Sequence, residues 1–287
     1  MRVLYATDGS EAATAAGDVI VAAADRAEVD VTVLSVVPTG LPGIRHLQRG
    51  LRSVEELRAI AERAVADGAQ RLRDEGFSVE EAVAEGRPDE VIAETAAELD
   101  ADLLIVGAGP KSTIVGRLQG SVTTALLHGP TSMLVVRESP ADATVHVVIG
   151  TDGSGHAGRA VELAATFLDP ERCTVAVVSV AVLIVSTPDA PYGGYAISAP
   201  EGSAEEVTSH AREDVEKAAA ALRARGFEPR TEVIMGHPVK RLLGVVADAD
   251  ASLVVVGSRG LSYPDRAFLG SVSDQMVRQA PACLVAH

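Results

Sequence analysis

The chain has 287 residues, enough for one to three domains, and its 40 acidic and 25 basic side chains give a formal net charge of −15. A field of that sign repels phosphate polymers and anionic lipid surfaces, which argues against a general nucleic-acid or membrane binder but leaves local binding of a small nucleotide open. The longest apolar run, about residues 174–185, is too short to span a membrane, and the N-terminal apolar stretch is too short for a signal peptide, so we expect a cytoplasmic protein.

The first half of the chain alternates short apolar runs with amphipathic stripes, a pattern typical of an α/β fold. A capping box, Ser53-Val-Glu-Glu56, opens a long helix that is predicted to end near Gly76. Other helices are predicted over residues 12–23 and 91–99 and from Ser121. Strands are predicted over residues 2–6, 31–37, 77–84, 103–106 and 132–136.

The second half repeats the first. Thr7-Asp8-Gly9-Ser10 recurs 144 positions later as Thr151-Asp152-Gly153-Ser154, and Gly120-Ser121-Val122 recurs 150 positions later as Gly270-Ser271-Val272. The capping box also recurs, as Ser203-Ala-Glu-Glu206. The sequence therefore predicts two domains, residues 1–139 and 144–287, joined by a short linker near Pro140.

Continuous apolar strands separated by helices predict parallel sheets covered on both faces, and such sheets bind ligands beyond the carboxyl ends of their strands. A glycine-bearing loop lies at such an end, between the run Ser252–Val256 and a predicted short helix. Glycines let the backbone approach an anion, and the helix N-terminus offers N–H groups to phosphate. An acid beside phosphates would repel them, so we expect Asp152 to bind a divalent metal or to contact a sugar or base edge.

Two motifs resemble those of the universal stress protein family: Ala/Gly-Thr-Asp-Gly-Ser after the first strand, and Gly-x2-Gly-x9-Gly-Ser after the fourth. The resemblance covers essentially the whole chain as a tandem pair. It implies five-stranded parallel sheets in the order 3-2-1-4-5, with ATP or another adenine nucleotide over the ends of strands one and four. It also implies a stress regulator that responds to nucleotide and acts on a protein partner, which the sequence does not identify, rather than a turnover enzyme.

The resemblance assigns roles to residues of the second copy. Asp152 and Val180 would face the adenine and ribose, and Asp152 could hold Mg²⁺ through the nucleotide. The loop would be lined by Gly257, Arg259 and Gly260, and the phosphates would be held by Gly270, Ser271 and Val272.

The first copy departs from the motif. Its corresponding residues are Asp8, Val36, Gly107, Gly120, Ser121 and Val122, but Pro110 replaces the second glycine of the loop. Proline has no N–H and a fixed φ, so we expect the first site to be weaker or differently occupied, even if Lys111 and Arg117 supply charge.

Other interpretations of these residues stay open. Gly107 and Gly257 could serve only tight turns, and Asp8, Asp152, Ser121 and Ser271 could serve only as helix caps. The chain could be a structural or partner-binding module without nucleotide. Slow ATP hydrolysis or self-phosphorylation also stays open, although the histidines are scattered and only His237 sits at a plausible ligand edge.

Two further expectations concern packing. Cys173 and Cys283 lie in predicted strands with no partner motif, which indicates buried, reduced thiols. A last strand, residues 134–137 or 284–286, is the expected joining edge for an intramolecular pair of domains, and a homodimer remains open.

Overall fold

A computed structural model describes residues 1–39, 53–109, 122–182, 203–260 and 269–287. Its strands are β1 (Arg2–Ala6), β2 (Asp30–Pro38), β3 (Ser78–Gly86), β4 (Leu103–Gly107), β5 (Ser132–Val136), β6 (Val145–Gly150), β7 (Cys173–Ala181), β8 (Arg230–Met235), β9 (Leu253–Gly257) and β10 (Ala282–Ala286). Its helices are α1 (Glu11–Ala23), α2 (Val54–Asp74), α3 (Pro88–Glu98), α4 (Gly155–Phe167), α5 (Ser203–Arg223), α6 (Pro238–Asp248) and α7 (Ser271–Gln279), and residues 122–126 are also helical.

All ten strands form one sheet, in the order β3-β2-β1-β4-β5-β10-β9-β6-β7-β8. Within each half the strands are parallel and follow the expected order 3-2-1-4-5. The halves meet where β5 pairs with β10 in antiparallel register, with Leu134 opposite Leu284. This confirms the predicted joining edge. We refer to the β1–β5 half as the first unit and the β6–β10 half as the second unit.

The strands are apolar on both sides because helices cover both faces of the sheet. In β4, Leu103 and Ile105 enter one core cluster while Leu104 and Val106 enter the other. Helices α1, α2, α4 and α5 pack on the first face, and α3, α6 and α7 pack on the second. Each cluster contains residues of both units, so the two units share their cores.

The ends of α1 and α4 also meet at the seam between the units. The Asp25 N–H donates to the Phe167 carbonyl at 2.8 Å, and the Asp169 N–H donates to the Ala23 carbonyl at 2.9 Å. Cys173 and Cys283 are both buried free thiols, as predicted. Burial raises the pKa of Cys173 to about 12, which keeps this thiol protonated and unreactive at neutral pH.

The structure tests one of the two predicted capping boxes. Ser53 forms the predicted capping box with Glu56. In the second unit α5 is recorded from Ser203 itself, and the Ser203 side chain lies outside the described part of the chain, so that capping box stays a prediction. Throughout the described ranges, no helix combines the length and apolar character needed to cross a membrane.

The glycine that ends β4 allows the sheet to touch the first turn of α1. A β-carbon added to Gly107 would overlap the Ala12 carbonyl. The equivalent atom on Gly257 would lie 2.7 Å from the Ala157 nitrogen in α4. These two glycines are therefore required by packing between strand and helix, beyond any role in a turn.

We expect Gly107→Ala to lower the free energy of unfolding by about 1–3 kcal/mol, since the methyl group must push α1 away from the sheet. Urea denaturation measures the change. Gly244→Ala is the control: its β-carbon meets no atom within 4 Å, and alanine in a helix should leave stability equal or raise it by about 0.5–1 kcal/mol. Equal stability of Gly107→Ala and the native chain would show that α1 can shift without cost.

Candidate functional site

The turn between β6 and α4 is fixed by its own polar side chains. Ser154 caps α4 by accepting the Ala157 N–H at 3.2 Å, and Asp152 Oδ1 accepts the Ser154 N–H at 3.1 Å. In the first unit, Ser10 and Asp8 make the same two bonds. The interpretation of the aspartates as helix caps is therefore wrong: the serines cap the helices, and each aspartate supports the turn with one oxygen.

The glycine loop of the second unit leaves β9 beside that turn, because β6 and β9 are neighbours in the sheet. The Ser154 hydroxyl donates to the Arg259 carbonyl at 3.4 Å, which ties the loop to the start of α4. A β-carbon on Gly260 would overlap Asp152 Oδ2. The second carboxylate oxygen of Asp152 therefore lies against the loop backbone.

Helix α7 begins against the same loop. The Gly270 N–H and the Ser273 hydroxyl both donate to the Ser258 carbonyl, at 2.8 and 3.0 Å. Gly270 is the N-cap residue and makes no side-chain cap bond, so Ser271 opens the helix rather than capping it. The first-turn N–H groups of α7, including those of Ser271 and Val272, thus lie next to the loop, as an anion site requires.

A second carboxylate faces Asp152 from helix α5. Asp214 sits so close to Gly153, which has φ +75°, that a β-carbon there would overlap its carboxylate. Partial burial, followed by the charge of Asp152, raises the pKa of Asp214 above its usual value. We call Asp152 and Asp214 the acidic pair. The equivalent of Asp214 in the first unit is Ala64, which lies next to Gly9.

Basic side chains gather at the start of the same loop, where His156 Nδ1 lies 3.1 Å from Ser258 Oγ. Two Arg159 nitrogens contact His156 Nδ1 at 2.8 Å and the His287 carbonyl at 2.7 Å. Arg259 lowers the pKa of both histidines by its charge, after the larger effect of burial. We call these four residues, His156, Arg159, Arg259 and His287, the basic cluster.

Of the basic cluster, only Arg259 is among the predicted site residues, and Asp214 is not predicted either. A signal was present in the repeat: Ala12, Ala15 and Gly109 of the first unit occupy the positions of His156, Arg159 and Arg259. The second unit thus has basic side chains in the first turns of α4 and in the loop after β9 where the first unit has small residues.

The remaining predicted residues fall into three groups. Val36, Val122, Val180 and Val272 are partly buried and pack against the second core cluster. Asp8 is exposed at the first unit's turn, and Gly107 packs against α1. Pro110, Lys111, Arg117, Gly120 and Ser121 lie outside the described residues.

Magnesium at Asp152 stays a prediction. In residues 1–39, 53–109, 122–182, 203–260 and 269–287, no group of three or more His, Cys, Asp or Glu side chains is arranged to hold a metal ion. An ion at Asp152 would therefore take further ligands from a bound nucleotide, as Mg²⁺ commonly does.

The fold and the turn geometry define a tandem α/β protein whose single sheet consists of two halves, each of strand order 3-2-1-4-5. The sequence model of the universal stress protein family matches residues 1–137 and 144–286, and the chain belongs to this family with two of its domains in tandem.

Two curated relatives share part of the chain. A universal stress protein of Thermus aquaticus is 30% identical over 137 residues, which cover 47% of this chain and 92% of the relative. A universal stress protein of Mycobacterium tuberculosis is 29% identical over 195 residues, which cover 64% of this chain and 57% of the relative. The chain therefore spans little more than half the length of the mycobacterial protein.

Among solved structures, a universal stress protein from Archaeoglobus fulgidus covers 99% of this chain, and the match covers 97% of that protein. The TM-score is 0.67 at 20% sequence identity. This likeness extends over both units and shows the fold of the whole chain.

The repulsion within the acidic pair leads to a prediction about stability. A raised pKa in the folded state means that ionised Asp214 opposes folding. This cost appears as the pH rises above about 3.8, the ordinary pKa of an aspartate side chain, and is complete above the folded pKa. We expect Asp214→Asn to raise the Tm at pH 7 and to have little effect below pH 4, measured by thermal unfolding across pH. A Tm at pH 7 below that of the native chain would contradict the assigned repulsion.

Proposed function

We propose that the chain binds an adenine nucleotide, ATP in the first instance, chiefly in its second unit. Its role would be that of a cytoplasmic, nucleotide-responsive stress regulator that acts on a protein partner and not that of a turnover enzyme. The observation that carries this proposal is that opposite charges contact one glycine loop at different residues: Gly260 lies against Asp152 of the acidic pair, and Ser258 Oγ lies 3.1 Å from His156 Nδ1 of the basic cluster. A nucleotide has the same polarity, with hydrogen-bond donors on its base and ribose and negative charge on its phosphates.

The acidic side suits the nucleoside. Asp152 has one oxygen held by the Ser154 N–H and the other beside Gly260, so the carboxylate is fixed in position to accept bonds from an amino or hydroxyl group. A carboxylate in that position disfavours phosphate on the same side. The nucleoside would therefore lie toward Asp152, with partly buried Val180 beneath it on β7.

The phosphate side combines two sources of positive potential. The first turn of α7 begins at Ser271 next to the Ser258 carbonyl, and helix N-termini stabilise anions through N–H groups and the helix dipole. Arg259 follows Ser258 directly and adds a full charge. In a chain of net charge −15, such a local concentration of cations favours a small anion over a phosphate polymer.

The first unit lacks the basic side chains of this loop and helix. Ala12, Ala15 and Gly109 stand where the second unit has His156, Arg159 and Arg259, and Pro110 interrupts the motif. We therefore expect one nucleotide per chain. Mass spectrometry of small molecules released on denaturation, with ATP titration calorimetry in the presence and absence of Mg²⁺, tests this. Two nucleotides per chain would show a working first site, and none would favour a structural or partner-binding module.

A substitution at Gly270 tests the phosphate side. Its backbone angles, φ −66° and ψ 158°, suit any residue, and the nearest atoms to an added β-carbon lie 3.5 Å away. Gly270→Val should therefore fold normally but place its methyl groups where phosphate would approach, and we expect ATP affinity to fall beyond detection by calorimetry.

Gly244→Val is the matched control, because the space around that β-carbon is open and Gly244 lies within helix α6. It should keep the native affinity for ATP. Unchanged ATP affinity in a folded Gly270→Val protein would remove Gly270 from the phosphate site.

A further inference from the structure

We propose that the basic cluster is a separate compartment of the second unit's site that takes the terminal phosphates of a nucleoside triphosphate, and that its histidines take up protons when those phosphates bind. The inference rests on the proposed nucleotide function. It adds a selection for the number of phosphates and a dependence of affinity on pH.

Hydrogen bonding defines the resting state of the cluster. The Arg159 guanidinium can only donate, so its 2.8 Å contact makes His156 Nδ1 an acceptor. Ser258 Oγ lies 3.1 Å from the same nitrogen. An imidazole that accepts at Nδ1 is neutral, so His156 holds no positive charge in this arrangement.

The surrounding charges explain why the histidines stay neutral. His156 is faced by Arg159 on its own helix, by Arg259 from the loop after β9 and by Asp152 from the turn after β6, and its pKa is lowered by burial and by the two arginines. His287 is faced by Arg259, His156, Arg159 and His128, and its pKa is lowered by burial first and then by these basic groups, with Arg259 the largest of them. An oxyanion placed among these groups would raise the pKa of both imidazoles and favour their protonated forms.

One atom of the cluster is unsatisfied. In the described part of the chain, the buried Nε2 of His287 makes no hydrogen bond. Buried polar atoms in folded proteins nearly always have a partner. A phosphate oxygen among the arginines would supply an acceptor for this nitrogen once it carries a proton.

The fold itself does not require the cluster. The first unit builds the same strand ends and the same helix start with Ala12, Ala15 and Gly109. The first-unit equivalent of His287 is Arg137, whose guanidinium instead donates to the Val277 carbonyl at 2.6 and 3.1 Å. Because the fold forms without these side chains, their position beside a glycine loop indicates a ligand.

The first unit also helps to place the cluster. The His287 N–H donates to Ser132 Oγ at 3.2 Å, across the pairing of β5 with β10. His128, from the first unit, acts on His287 by its charge. The terminal-phosphate compartment therefore lies at the seam, where both units contribute.

The test uses the full chain and variants that install first-unit residues. Arg159→Ala combined with Arg259→Gly removes both permanent charges, and the first unit shows that the fold accepts these residues. We expect calorimetry to show at least a tenfold loss of ATP affinity and less than a threefold loss for AMP, since a hydrogen bond to a charged group contributes about a factor of ten or more. Arg225→Ala is the control: it is exposed just after α5, at the opposite edge of the sheet, and should change neither affinity.

The pH dependence is read from a second variant. The bound state holds more protons than the free state, so ATP affinity should rise as the pH falls from 8 to 6. His156→Ala should flatten that slope, and comparing the two proteins cancels the titration of ATP itself. If ATP binds but the double variant keeps the native ATP-to-AMP ratio and His156→Ala keeps the native slope, the inference is overturned. If the native chain binds neither ATP nor AMP, the proposed function fails, and the inference fails with it.

Discussion

The antiparallel hydrogen bonds between β5 and β10 are the interaction on which the rest of the molecule depends. They join two five-stranded parallel sheets into one and leave neither inner edge exposed, which removes a surface that would otherwise pair with other chains. They also reverse the strand direction at the seam. The carboxyl ends of the two units therefore lie on opposite edges of the sheet, and each unit's candidate site adjoins the amino ends of the other unit's strands.

That reversal explains why the basic cluster spans the seam. His287 extends past the end of β10 and meets Ser132 at the beginning of β5. Side chains of the first unit near that point, such as His128, come within electrostatic range of the second unit's loop. The acidic pair lies farther from the seam, between the turn after β6 and helix α5. The polarity of the candidate site thus follows from its position in the joined sheet.

The sequence predicts the architecture well because the signals are local and repeated. The apolar runs, the glycine positions and the Ser53 capping box locate the elements within a few residues, and the repeat predicts the seam. Contacts between side chains that are far apart in the sequence are harder to predict, because only the packing of the fold brings them together. Asp214 lies 62 residues from Asp152 along the chain, and nothing in its helical stripe indicates that it faces a turn. His156 reads as an ordinary first-turn residue until Ser258 and Arg159 are placed beside it. The sequence also does not distinguish Ser10 and Ser154 as helix caps from the aspartates two residues earlier, because serine and aspartate both favour the N-cap position.

The short connection from β5 to β6, residues 137–144, has a consequence for symmetry. When identical single-domain chains pair about a two-fold axis, any change at one site is copied at the other, and a cluster of mutually repelling charges is necessarily doubled. Two domains joined in one chain are not constrained by this symmetry, because each has its own sequence. One unit can keep alanine and glycine and serve as a stable scaffold, while its twin carries the repelling carboxylates and cations that a ligand would need. If only the second unit binds a ligand, as proposed, the chain passes from empty to full in a single step, with no half-filled state between them.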